Sequence, residues 1–139
     1  MKIAIIGHGF VGKALENGLN ENLDILIIDP LYKNHISDLK SFSPAIVFIC
    51  VPTPMGDNGN QNLDILNNVI EEIKYTKIKA QIILKSTVTP NSILDIQELI
   101  PDLIYNPEFL TEANAFDDFI NADLIVLGGK KENIYKASS

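Results

Sequence analysis

Six short runs rich in β-branched residues recur along the chain with amphipathic stretches between them, and this alternation limits the folds open to it more than any other feature. The runs are "KIAIIG" (2–7), "DILIID" (24–29), "AIVFICV" (45–51), "AQIILKS" (80–86), "DLIYN" (102–106) and "DLIVLG" (123–128). Each is apolar on both faces, which suits strands covered from both sides, and strands that alternate with helices are joined by parallel crossovers. The intervening stretches carry helical spacing. Apolar or small residues stand at 11, 14, 15 and 19 in the first, and at 63, 66, 69, 70 and 73 in another, behind Asn62 as an N-cap. Thr89 followed by Pro90 reads as N-cap and first helical residue of a helix running to about Leu99, and Ala115, Phe116, Phe119 and Ile120 mark a further helix. The expected architecture is a single α/β domain, a doubly wound parallel sheet of about six strands with about five helices.

"GHGFVG" refines that expectation. It sets Gly7, Gly9 and Gly12 at G-x-G-x-x-G spacing directly after the first strand and at the opening of the first helix. In a Rossmann-type sheet the first glycine permits a tight turn, the second lets a pyrophosphate approach the backbone, and the third lets helix and strand pack closely. Phe10 and Val11 complete the loop at the helix start. The second run ends in Asp29, 22 residues beyond Gly7, where a carboxylate accepts hydrogen bonds from an adenosine ribose and repels a 2′-phosphate. NAD is therefore the expected cofactor, favoured over NADP, with no metal. His8 reads as a backbone spacer facing solvent, and His35 has no assigned role.

Ligands in open parallel sheets lie beyond the carboxyl ends of the strands. The third run here ends in "VPTP" (51–54), the fourth in "KSTVTP" (85–90), and the fifth in "NPEFLTE" (106–112). Pro52 and Pro54 stiffen a loop, opening at Val51, that is placed under a nicotinamide ribose; Thr53, Ser86 and Thr87 offer hydroxyls at the same edge, and Glu108 and Glu112 complete the ring. Each has a plainer reading as well: Thr89 and Pro90 as helix punctuation, Thr87 as a strand-end cap, Glu112 as a carboxylate favoured near a helix N-terminus. The Gly- and Asn-rich stretch "MGDNGNQN" (55–62) reads as a mobile loop.

Composition narrows the function classes. Eleven basic against eighteen acidic side chains give a net charge of −7, which repels nucleic acid unless the cations cluster. The densest group, Lys74, Lys77 and Lys79, reads as a solvated helix end. The single cysteine, Cys50, lies in an apolar run and reads as a buried structural residue of a reduced compartment. The apolar start is broken by Gly7 and Gly9, too early for a secretory core or a membrane span, so a cytoplasmic chain without membrane attachment is expected.

"GHGFVG", "CVPTP", "STVTP" and "NPEFLTEANAFDDFINADLIVLGG" together resemble, in order, the N-terminal NAD-binding half of the UDP-glucose/GDP-mannose dehydrogenase family, with its N-P-E-F-L-R-E-G signature. The resemblance covers essentially the whole chain. It implies residues 1–129 as the NAD-binding domain and 130–139 as the start of a further helix or a tail. Members oxidise the C6 alcohol of a nucleotide sugar to a carboxylate in two NAD-dependent steps, through a thiohemiacetal and a thioester on a cysteine. By the same resemblance Thr87 and Glu108 hold water and polar groups near the reacting carbon. Glu112 lies on the nicotinamide side, and Glu108, Phe109, Leu110, Thr111 and Glu112 border the sugar.

The sequence also departs from the family. Thr111 replaces an Arg, Ala113 a Gly, and Thr89 and Asn91 a Pro and the Gly of S-T-V-P-P-G. The stretch between Asp29 and Ala45 is short, which suggests one lost crossover element. The family's second domain, with its nucleophilic Cys, is expected from a separate chain or a C-terminal half outside this sequence, and self-association is left open. Two functions follow. The first is the NAD-binding portion of a UDP-glucose 6-dehydrogenase-like enzyme, incomplete as a catalyst alone; the second is a stand-alone, non-catalytic NAD- or nucleotide-binding or regulatory module. "NPEFLTE" disfavours a third, another hydroxyacid dehydrogenase.

Overall fold

The computed structural model describes residues 1–19, 21–57 and 59–138. Five strands form the sheet: β1 (Lys2–Ile6), β2 (Asp24–Ile28), β3 (Ile46–Ile49), β4 (Gln81–Leu84) and β5 (Ile104–Tyr105). Helices α1 (Phe10–Gly18), α2 (Leu39–Phe42), α3 (Asp64–Thr76), α4 (Pro90–Leu99), α5 (Ala115–Ile120) and α6 (Lys131–Ser138) connect or follow them. All pairings are parallel, in the order β2-β1-β3-β4-β5. The doubly wound fold is the expected one.

The period-two alternation of a strand explains why the runs are apolar throughout. From β1, Ala4 and Ile6 enter a core shared with Val47, Ile49 and Leu84 and closed by Leu66, Ile70 and Ile73 of α3. Ile3 and Ile5 enter the opposite core, with Leu15 of α1, Cys50 and the ring of Phe119 of α5. Helix punctuation follows the sequence at α4. Thr89 caps α4, its Oγ1 accepting from the Ser92 N–H at 3.5 Å, with Pro90 as first helical residue. α3 departs from the expectation: its N-cap is Leu63, not Asn62, and the Asn62 Oδ1 accepts from the Asp64 N–H at 2.9 Å from one residue further out.

Two further expectations change. The run at 123–128 forms no strand; among the described residues it reaches the sheet only through an antiparallel bridge between Gly128 and Tyr105, while Leu124 and Ile125 are exposed. α5 packs against α1, and the run that follows it meets β5 in the antiparallel sense. The stretch at 55–62 closes into a hairpin, with a Met55–Gln61 bridge and an Asn62 N–H to Pro54 carbonyl bond of 2.8 Å; Asn58 lies outside the described residues. The connection from β2 to β3 is a single 3-10 turn (Ile36–Asp38) running into the four-residue α2, in line with a lost crossover element.

Ile70 is wholly buried between α3 and the sheet, whereas Tyr75 on the same helix is exposed. Ile70→Ala is expected to cost about 2–5 kcal/mol in urea unfolding, and Tyr75→Ala less than about 0.5 kcal/mol.

Candidate functional site

Successive strands leave β1 in opposite directions, β2 to one side and β3 to the other, which opens a crevice at their carboxyl ends. The glycine loop forms one wall. Gly7 has φ +90°, and a Cβ there would stand 2.7 Å from the Cys50 carbonyl oxygen and 2.9 Å from the Val51 nitrogen, so only glycine lets the β1 turn lie against the end of β3. A Cβ on Gly12 would stand 2.2 Å from the Gly7 carbonyl oxygen, which seats α1 directly on that turn. Gly9 differs: a Cβ would meet nothing within 4 Å, because the position faces open space at the start of α1. No side chain caps that helix and no acid lies in its first turn, so its N–H groups and positive dipole end are turned to the crevice without an anion of their own. A cradle with room above Gly9 fits a pyrophosphate.

Asp29 stands at the end of β2. Its Oδ2 accepts from the His8 N–H at 2.8 Å and its Oδ1 from the Leu31 N–H at 3.0 Å, fixing the carboxylate to the glycine loop. Partial burial pushes its pKa up, but those two hydrogen bonds outweigh it and hold the group below the usual carboxylate value. Each oxygen keeps a lone pair for a ribose hydroxyl.

The crevice is a cavity of about 500 Å³. Gly7, Gly9, Phe10, Val11 and Asp29 line one side; Val51, Pro52 and Thr53, with Ser86 and Thr87, line the floor, and Glu108 and Leu110 the far wall. Many of the polar groups are partly committed. The Ser86 Oγ donates to the Val51 carbonyl at 2.7 Å, and the Thr53 Oγ1 to the Thr87 carbonyl at 2.6 Å. Phe109 and Thr111 line a neighbouring chamber of about 820 Å³. Thr111 is tied down there, its N–H and Oγ1 donating to the Asp118 Oδ2 at 2.8 and 2.6 Å.

Glu112 is not brought into the crevice. It lies in a separate shallow groove with Lys13 and Asn17. A spacing of four gathers two side chains on one face only within a helix; here residues 106–111 are not helical, and a 3-10 turn begins at Glu112. His8 is also not a solvent-facing spacer. It is buried, with Nε2 2.6 Å from the Glu16 Oε2 and Nδ1 2.9 Å from the Tyr32 hydroxyl. Because a carboxylate only accepts, Nε2 carries the proton to Glu16, and the ring joins α1 to the chain beyond β2.

Two further residues enter the site without having been singled out in the sequence. Lys85 is 3% exposed, ion-paired with Glu108 and donating to the Asn106 Oδ1 at 2.9 Å. A lysine closing a strand buried on both faces requires a carboxylate partner, and that was the available signal. Gln61 has no such signal; its Nε2 donates to the Thr87 carbonyl at 2.8 Å and the Thr53 Oγ1 at 3.1 Å, binding two strand-end loops together. Cys50 is buried as expected. Burial pushes its thiol up to about 12, with Lys85 pulling the other way, so the sulfur is neutral.

Residues 31–139 match the signature of the UDP-glucose/GDP-mannose dehydrogenase family, NAD binding domain. The chain belongs to that family, as its NAD-binding domain. It is 31% identical to UDP-glucose 6-dehydrogenase AglM of Haloferax volcanii over 98% of this chain and 43% of the relative. It is 32% identical to the uncharacterized protein MJ1054 of Methanocaldococcus jannaschii over 96% of this chain and 19% of that one. Among solved structures, GDP-mannose dehydrogenase from Pseudomonas aeruginosa superposes with a TM-score of 0.78 at 21% identity, covering 99% of this chain and 43% of that one. The NDP-N-acetyl-D-galactosaminuronic acid dehydrogenase from Methanosarcina mazei gives 0.74 at 18%, covering 99% and 40%; these two likenesses concern the fold. The chain spans less than half the length of these relatives. Among the described residues no helix is long and apolar enough to cross a membrane.

Two outcomes follow from this geometry. Gly7→Ala is expected to destabilise by about 2 kcal/mol or more, from its positive φ and the collision with Cys50, whereas Gly9→Val stays within about 1 kcal/mol of the parent and loses NADH binding. Thermal melts with NADH fluorescence titration separate the two. Cys50 should resist a thiol reagent at pH 8 in the folded chain and react at once when urea unfolds it, because burial keeps the thiol protonated.

Proposed function

We propose that the chain supplies the NAD side of a nucleotide-sugar dehydrogenase, a cytoplasmic enzyme that oxidises the C6 alcohol of a sugar nucleotide, with UDP-glucose as the first candidate substrate. The observation that carries this reading is the convergence of the glycine cradle, Asp29, Thr87 and Glu108 on one crevice. NAD, when bound, would supply the hydride acceptor for the alcohol carbon, the hydroxyl proton leaving to a base or water. The residues of this chain bind and orient. The α1 N-terminus above Gly9 takes the pyrophosphate, and the Asp29 carboxylate takes the adenosine ribose hydroxyls. Pro52 and Thr53 support the nicotinamide ribose. Thr87 and Glu108, at the far end, hold water and polar groups next to the reacting carbon, and the stretch from Glu108 to Thr111 borders the sugar.

The second oxidation requires the aldehyde to be held as a hydrate or a thiohemiacetal that can lose another hydride, and in the family a thiolate does this. Cys50 does not meet that need, since it is buried behind the glycine turn with a neutral thiol. A nucleophile from a further segment or a separate chain completes the site in this reading.

Two measurements test it. NADH should bind the chain roughly tenfold or more tighter than NADPH, because Asp29 stays ionised and about 2 kcal/mol of ribose bonding and like-charge repulsion separates the two cofactors; equal affinity overturns the placement of Asp29. Mixed with NAD and UDP-glucose, the 139-residue chain should form no NADH, and activity should appear when a partner bearing the catalytic cysteine is added. Steady NADH formation by the chain alone overturns that division of labour.

A further inference from the structure

Of the charged side chains that line the cofactor crevice, all but one are acidic. Asp29 and Glu108 both line it, the whole chain carries a net charge of −7, and Lys85 is the one cation among the described residues of its wall. The dinucleotide that the crevice is read to hold is itself an anion at its pyrophosphate. Two uncancelled carboxylates in a confined cleft would oppose its entry.

Lys85 is built to remove that opposition. It follows the last residue of β4, where its own N–H donates to the Ile49 carbonyl at 2.8 Å and fixes the start of the side chain. The ammonium pairs with Glu108, takes the Asn106 Oδ1 as a second acceptor, and lies 5.7 Å from the centre of the Phe119 ring. Both charged side chains are sheltered, Lys85 at 2% and Glu108 at 15% exposure. The pair also separates the crevice from the larger chamber, since both residues line both spaces.

We propose that Lys85 is a positioning residue for the dinucleotide: by cancelling and fixing Glu108 it makes an otherwise acidic crevice receptive to an anionic cofactor. The proposal rests on the reading of the crevice as the NAD site. It also carries a pH dependence. Burial pulls the Lys85 ammonium down to about 8, with the neighbouring Cys50 pulling the other way. The groups facing Lys85 are the Cys50 thiol at the end of β3, Glu108 of the loop after β5, and Asp117 and Asp118 of α5 with Asp123 beyond it across the chamber, Asp118 being engaged by Thr111; Asp29 stands across the crevice. Above pH ~8 a neutral Lys85 leaves Glu108 uncancelled opposite Asp29, so cofactor binding weakens as pH rises.

NADH fluorescence titrations of the whole chain from pH 6.5 to 9.5 test this. For the parent chain, affinity should fall about five- to tenfold through pH ~8. Lys85→Arg, which keeps its charge, should bind within about twofold of the parent at pH 7 and show no such fall. Lys85→Met should bind about five- to tenfold more weakly at pH 7. Lys85→Met/Glu108→Gln removes both charges, avoids an unpaired buried carboxylate, and should recover binding to within about twofold while staying flat with pH. A parent chain without the alkaline fall, a Lys85→Arg chain that keeps it, or a Lys85→Met chain that folds and binds as the parent does each overturns the role of Lys85. If Lys85→Met does not fold, the arginine and double variants decide. Absence of NADH binding by the parent at every pH overturns the cofactor reading itself, an outcome distinct from the others.

Discussion

The approach of the Gly7 backbone to the Cys50 carbonyl is the contact on which the rest of the molecule depends. It brings the carboxyl ends of β1 and β3 together without an intervening side chain, and Gly12 then sets α1 on the same turn. A methyl group at either position would stand inside 3 Å of backbone oxygen, so the turn cannot adjust by moving a rotamer. From that fixed point the helix dipole is aimed across the crevice. Asp29 is locked to the loop through the His8 N–H, and the floor of Val51 to Thr53 is set at its level. Geometry and electrostatics thus share one origin, the absence of two β-carbons.

The second organising contact is polar. Ser86, Thr53, Thr87 and Gln61 stitch the ends of β3 and β4 to each other, and Lys85 with Glu108 joins β4 to the loop after β5. A threonine whose hydroxyl donates within the protein remains an acceptor, so these bonds orient the groups and still leave lone pairs for a ligand. Tight strand-end loops are what allow a sheet with only two residues in its last strand to present a defined wall.

Much of this was legible in the sequence, for physical reasons. The five strands, the glycine turn and the Thr89–Pro90 helix start are local signals, set by apolar periodicity and by residues with restricted backbones. The convergence of Gly7, Asp29, Thr53, Thr87 and Glu108 follows from one topological rule about strand ends. What could not be read depended on distance in three dimensions. The sixth run has the composition of a strand, yet it meets β5 only as the antiparallel Gly128–Tyr105 bridge, a long-range pairing its composition does not encode. His8 looked like a spacer because its partners, Glu16 and Tyr32, lie eight and 24 residues away. Glu112 was grouped with Glu108 as part of one ring at the strand ends, but the 3-10 turn that begins at Glu112 sets it in a separate groove. Lys85 lay unremarked inside an apolar run, and its meaning appears only with Glu108 beside it.

The bridge between Gly128 and Tyr105 bears on assembly. A sheet edge exposes a row of unpaired amide groups that can recruit a strand from another molecule. Here both main-chain groups of Tyr105 are taken, its N–H by the Gly128 carbonyl at 2.8 Å and its carbonyl by the Gly128 N–H at 2.7 Å. Gly129, at φ +151°, turns the chain away immediately afterwards, with a Cβ there only 3.1 Å from the Leu103 carbonyl. The returning segment therefore blocks the β5 rim against strand addition, and end-to-end growth of the sheet into polymers is closed off on that side by a single residue pair.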